Sequence, residues 1–127
     1  MGHKYDWASI PSYIPKVMKA FPLTIEILLL SLFFSLIIGA LVAVGALSKN
    51  KVARAVTKGW ISFMRGIPTL VLIFLLYLGL PQLMNALGVN MSGISKTTYI
   101  VACLALSTSA NMAEMMRAAY LSVNKGQ

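Results

Sequence analysis

From Gly66 to Ser95 the chain carries no charged residue, and most of its first half, Thr69 to Leu80, is apolar. A run of this kind has few places to go. About 20 apolar residues at 1.5 Å rise cross the hydrocarbon core of a bilayer. The run opens in an unusual way, on Arg65-Gly66-Ile67-Pro68, where a plain anchor would carry Leu and Ala. It reaches a second Gly-X-Pro at Gly79-Leu80-Pro81.

Composition agrees with a membrane chain. Of 127 residues 58% are hydrophobic and only 11% charged, where a soluble domain carries roughly 25% charge. Mean hydropathy is +0.79. The net charge of +8 does not point to nucleic acid, because the cations cluster beside apolar spans, as topology signals do. Three acids, one histidine (His3) and one cysteine (Cys103) leave no metal set, no disulfide within the chain and little for catalysis. The expectation is a non-enzymatic protein without its own cofactor.

Residues 1–21 are mixed. Tyr5, Trp7, Tyr13 and Phe21 are aromatics of the headgroup level, and Pro11 and Pro15 interrupt the stretch. The reading is a short interfacial segment. A signal peptide, with Ala43-Val44-Gly45 as its cleavage site, is the rival, but the apolar stretch after Glu26 is far longer than an h-region. The first span is expected over about 22–47, with Pro22 in its first turn and Glu26 favoured by the helix N-terminus. The alternative role for Glu26 is a pathway acid. Ser35, Gly39 and Ala43 recur at four-residue spacing, a small-residue stripe that lets helices approach closely.

Lys49, Lys51, Arg54 and Lys58 crowd the next loop and mark it as cytoplasmic. Lys51, Arg54, Lys58 and Arg65 would share one face of a helix continuing into a second span at about 60–80. Arg65 then either snorkels to the interface or serves the substrate path. Pro68 predicts a kink there, because it removes the bond to the Met64 carbonyl. Pro81 to Lys96 has turn composition and one cation, Lys96, so it belongs outside. A third span is expected over about 97–120. Ala102, Ala105, Ser109 and Ala113 form its small-residue face, and Ser107, Asn111, Glu114 and Ala118 an adjacent polar one. Glu114 and Arg117, at i and i+3, can pair, either as a structural pair or as part of a path.

These stretches together resemble the permease subunits of amino-acid ABC importers, the polar amino-acid branch that includes histidine, glutamine and cystine permeases. Arg65-Gly66-Ile67-Pro68 with Tyr77-Leu78-Gly79-Leu80-Pro81 is similar to that family's "RGTP…YFGLP" segment. Ala20-Phe21-Pro22-Leu23-Thr24 and the Ser31 to Gly39 span are similar to its first core helix. Ala113-Glu114-Met115-Met116-Arg117 with Ser122-Val123-Asn124-Lys125-Gly126-Gln127 is similar to its "AEivRggi.sVpkGQ" segment, with Ala118 in place of the glycine after the Arg. The family continues beyond Gly-Gln with the EAA coupling helix and two further spans, so the chain is read as the N-terminal part of a permease, stopping before that helix.

The resemblance implies an all-α, polytopic membrane helical bundle, with three spans present of a five-span core, in the bacterial plasma membrane with its N-terminus outside. It implies a second permease subunit, identical or not, ATP-binding subunits that handle the ATP, an extracytoplasmic solute-binding protein and an amino-acid substrate; membrane lipid surrounds the chain and nucleic acid is not a partner. The pathway candidates are Arg65, Ser107, Asn111, Glu114 and Arg117, with Arg65 meeting a substrate carboxylate and Glu114 an ammonium. Gly66 and Pro68 form the kink, and Lys125, Gly126 and Gln127 the edge toward the ATPase. The alternatives are a small oligomeric channel, an accessory membrane subunit, or an inactive fragment.

Overall fold

The computed structural model describes residues 10–123. Tyr5, Trp7 and the expected ATPase-coupling edge at Lys125, Gly126 and Gln127 lie outside the described residues. Within them the chain is helical throughout, with no strand. The elements are α1 (Ile10–Leu47), α2 (Lys51–Gly66), α3 (Thr69–Phe74), a π-helical turn (Leu75–Gly79), α4 (Leu80–Ala86) and α5 (Lys96–Val123). Two stretches are long and apolar enough to cross a membrane, Ile10–Leu47 and Thr69–Ala86. The third expected span, α5, is 28 residues long but too rich in Ser, Thr, Asn and charge to meet that measure by itself.

α1 begins as a helix well before the first span expected over 22–47. It runs unbroken for 38 residues through Pro15 and Pro22, roughly 57 Å at 1.5 Å per residue. That exceeds a hydrocarbon core of about 30 Å, so the helix projects well beyond it. Each proline frees one carbonyl, of Pro11 and Met18, on an exposed surface where solvent or headgroups can satisfy it. Pro22 therefore sits inside a helix, not in a first turn. Glu26, expected beside a helix N-terminus, is deep inside α1. It lines a hollow of about 400 Å³ with Ser95, Thr97 and Thr98 at the start of α5.

The core is the seam between α1 and α5. Ser31, Ser35, Gly39, Ala43 and Ala46 are buried on α1, and Ala105, Ser109 and Ala113 face them from α5. A methyl group added at Gly39 would stand 2.8 Å from Met112 Cβ, 3.1 Å from the Ser109 carbonyl oxygen and 3.3 Å from the Ala113 nitrogen. The two backbones therefore touch, as small-residue stripes allow in lipid. The hydroxyls of Ser35 and Ser109 donate within their own helices, to Leu32 O at 2.9 Å and Leu106 O at 2.7 Å. Burial of those two groups therefore leaves no unmet donor. Ala102, expected on this seam, is exposed.

α2 begins at Asn50, whose Oδ1 accepts the Val52 N–H at 2.9 Å. It packs across the C-terminal parts of α1 and α5. Ile61 lies with Ala43, Ala46 and Ala113. Thr57 comes so close to Gly45 that a Cβ there would be 2.5 Å from its Cγ2. Asn50→Ala should cost about 1 kcal/mol, the usual worth of such a cap, with unfolding in mixed micelles followed by circular dichroism as the check.

The second span departs from expectation at both ends. α2 does not run on through Pro68 with a kink; it stops. Ile67 is extended (φ −93°, ψ 124°), and Pro68 (φ −57°, ψ 133°) opens α3. Proline disfavours the α region for the residue before it, and Gly66 is a poor helix former. At the other end Pro81 does not stop the helix. The π turn before it sends the Leu80 N–H to Leu75 O, an i→i+5 bond of the kind π turns make. Helix resumes to Ala86, so the apolar helical stretch long enough to cross a membrane is Thr69–Ala86, where 60–80 was expected. The turn proper covers 87–95. Gly88 adopts a positive φ of 81°, and Val89 N–H reaches back to Met84 O at 2.9 Å, a Schellman-type ending. The Ser95 hydroxyl then accepts the Thr98 N–H at 3.2 Å and starts α5.

Candidate functional site

The break between α2 and α3 is held against the middle of α5. Met64, before the break, and Leu72, after it, pack with Cys103 and Ala110; Trp60, Ile67 and Leu106 close around them. Cys103 is thus a buried packing residue with a free thiol. Further along, Tyr77 and Tyr99 meet edge to face, with ring centroids 5.7 Å apart. A discontinuous helix exposes backbone groups that a continuous one would bond internally. In a membrane that arrangement is tolerated where protein or a water-filled cavity receives them.

The polar face of α5 meets this break. Thr69, the first residue of α3, places its Oγ1 3.4 Å from Ser107 Oγ. Asn111 lies one turn further on and is exposed, and Glu114 follows on the same face. Toward the C-terminal end of α5 a cleft of about 250 Å³ opens between α2 and α5. It is lined by Lys58, Ile61, Ser62, Arg65, Glu114 and Arg117. Inside it Glu114 and Arg117 form a bidentate pair, Nη2 to Oε1 at 2.5 Å and Nε to Oε2 at 3.3 Å. Such a fork is the strong geometry for an arginine and a carboxylate. Lys58 and Arg65 act electrostatically on Glu114, but neither makes an ion pair among the described residues.

The five residues expected on the path therefore fall into two groups. Arg65, Glu114 and Arg117 share the cleft. Ser107 sits at the helix break, and Asn111 between the two. Gly66 and Pro68 mark a break in place of the expected kink. Lys58 is expected from the sequence as a topology charge on one helix face with Arg65, but not as part of the path. Thr69 and Ser62 were not singled out. Their signal was local: a hydroxyl directly after the helix-breaking Pro68, and one midway between Lys58 and Arg65.

Residues 35–127 match the family described as "Binding-protein-dependent transport system inner membrane component". The chain is 38% identical over 122 residues to the "Probable amino-acid permease protein YxeN" of Bacillus subtilis (strain 168), covering 96% of this chain and 53% of that one. It is 34% identical to the "L-cystine transport system permease protein TcyL" of the same organism, over 100% of this chain and 53% of that one. A solved structure described as "Crystal structure of an amino acid ABC transporter with histidines" superposes with a TM-score of 0.80 at 28% identity, covering 97% of this chain and 54% of the other. The chain thus spans about half the length of the curated relatives it matches. A helical seam of small residues, a discontinuous second span and this match over most of the sequence lead to one conclusion: the chain belongs to the family of binding-protein-dependent transport system inner membrane components.

Proposed function

We propose that this chain is a permease subunit of an ABC importer for polar amino acids. The observation that carries the reading is the break at Ile67-Pro68, packed against the polar face of α5. Discontinuous membrane helices are a recurrent way of building a substrate site near the middle of the bilayer. The relatives' names supply the substrate class: amino acids at large, cystine, and glutamine for a permease of Escherichia coli (strain K12) that is 29% identical.

In this reading α1, the 69–86 span and α5 each cross the membrane, with the N-terminus outside. Lys49 and the α2 cations Lys51, Arg54 and Lys58 face the cytoplasm and the Lys96 turn faces out, following the excess of cations. Ser107, Asn111 and Thr69 line the middle of the path. Arg65, Glu114 and Arg117 line its cytoplasmic end, where the Glu114–Arg117 pair acts as a clasp. Glu114 meets a substrate ammonium only on leaving Arg117, and Arg65 offers a fork to a carboxylate. The permease does no bond chemistry. No Gly-rich phosphate loop ending in Lys-Ser or Lys-Thr occurs in the sequence, so separate subunits bind ATP. A second permease copy and a solute-binding protein complete the assembly.

Arg65→Lys keeps the charge and loses the fork, while Glu114→Gln opens the clasp. In the assembled transporter each should lower amino-acid uptake by roughly tenfold, equivalent to about 1.4 kcal/mol of barrier. Unchanged uptake of every amino acid by both variants would remove these residues from the path.

A further inference from the structure

The charges of the cleft do not balance. It holds three cations, Lys58, Arg65 and Arg117, and one carboxylate, Glu114. Arg117 takes both oxygens of that carboxylate. Lys58 and Arg65 are left with no ion-pair partner among the described residues, and the Ser62 hydroxyl lies between them in sequence and shares the same lining. Two exposed cations without an ion-pair partner on one wall of a polar cleft make a site of positive potential that attracts an anion.

The position of the cleft says which anion is at hand. Ile61, in its lining, packs against Ala43 and Ala46 near the C-terminal end of α1, directly before the loop that carries Lys49. The cleft therefore lies at the cation-rich end of the bundle, where Lys and Arg heads reach the headgroup layer. Lys51 and Arg54 extend the same face of α2 outward. The opposite face exposes Val52, Val56 and Phe63. A helix with one basic and one apolar face lies against a membrane surface and favours anionic lipid. Basic pockets between helices at that depth accept phosphate headgroups.

We propose that Lys58, Arg65 and Ser62 form a binding site for the phosphate of an anionic phospholipid headgroup. The arginine fork matches two non-bridging phosphate oxygens, and Lys58 supplies the second charge. A phosphate needs no rearrangement of the cleft, whereas a substrate amino acid meets Glu114 only after the Glu114–Arg117 pair has opened. The site lies below Thr69 and Ser107 and leaves the middle of the path open. It rests on the membrane placement of the chain and not on amino-acid transport, so its failure would leave the transport reading untouched.

The test uses the chain reconstituted in phosphatidylcholine vesicles doped with phosphatidylglycerol, extracted gently and assayed for retained lipid by mass spectrometry. The double variant Lys58→Gln/Arg65→Gln should lower the ratio of retained phosphatidylglycerol to phosphatidylcholine by roughly thirtyfold, the effect of two interfacial cations. Lys51→Gln/Arg54→Gln removes equal charge from the same face outside the cleft and should leave most of the retention intact. Lys58→Gln alone, at an exposed position, gives an intermediate loss and guards against misfolding of the double variant. Equal losses in both double variants would reduce the effect to diffuse attraction and overturn the site. So would no loss in either, or displacement of the lipid by millimolar amino acid.

Discussion

Gly39→Leu should separate α1 from α5, and Gly39→Ala should already cost about 1–3 kcal/mol, the range for overpacking a tight contact. The new Cβ would meet Met112 Cβ at 2.8 Å and, behind it, the Ser109 carbonyl at 3.1 Å and the Ala113 nitrogen at 3.3 Å. Met112 Cβ is fixed by its own backbone and cannot rotate away, so all three atoms move only with the helix. Alanine's better helix propensity offsets up to about 1 kcal/mol, which is why the smaller variant still folds and the larger one does not pair. Gly59→Ala is the control. It sits in α2 with nothing within 4 Å of the added atom, so propensity acts alone and stability should rise by up to about 1 kcal/mol. Unfolding of the three variants in mixed micelles, followed by helical signal, gives opposite signs for the two alanines. Equal shifts would mean that the α1–α5 seam does not hold the bundle.

Pro68→Ala is expected to abolish most transport while leaving the protein abundant and helical. Alanine restores the N–H to position 68 and frees Ile67 from the extended region. α2 and α3 can then join into one helix. Joining them turns Thr69 away from Ser107 and shifts Arg65 relative to Glu114, so both polar groups of the proposed path lose their geometry. Uptake should fall by at least about tenfold, or about 1.4 kcal/mol. An independent readout is the distance between spin labels at Val56 and Phe74, both exposed. It should shift to the roughly 27 Å of a straight helix. A straight-helix distance with normal uptake would show that the break is dispensable.

The seam and the break differ in how openly the sequence displays them. Ser35, Gly39 and Ala43 are legible as a packing stripe because four-residue spacing puts them on one helix face, and burial of all three follows. The third helix was legible for the same reason, to within a few residues. Prolines were less legible. Pro15, Pro22 and Pro81 were read as boundaries and lie inside helix or just within one, whereas Pro68 was read as a kink and ends a helix. A proline removes one donor wherever it falls. Whether the chain breaks depends on its neighbours: the exposed carbonyls at Pro11 and Met18, the π turn that absorbs Pro81, and the weak helix former Gly66 beside Pro68. Glu26 was misplaced for the same reason, since its distance from a helix end depended on Pro22. The cleft was half legible. Glu114 with Arg117 follows from spacing on one helix, but the approach of Lys58 and Arg65 needs α2 folded back on α5, which no local pattern states.

The measurement that bears most directly on the proposed importer role is uptake by proteoliposomes containing this chain with the proposed ATP-binding subunit. Labelled polar amino acids and a solute-binding protein are supplied outside, and ATP inside. The account predicts accumulation of at least one amino acid against its gradient, dependent on both ATP and the binding protein. Solute flux that runs only down its gradient, with or without ATP, would contradict it and point instead to a channel.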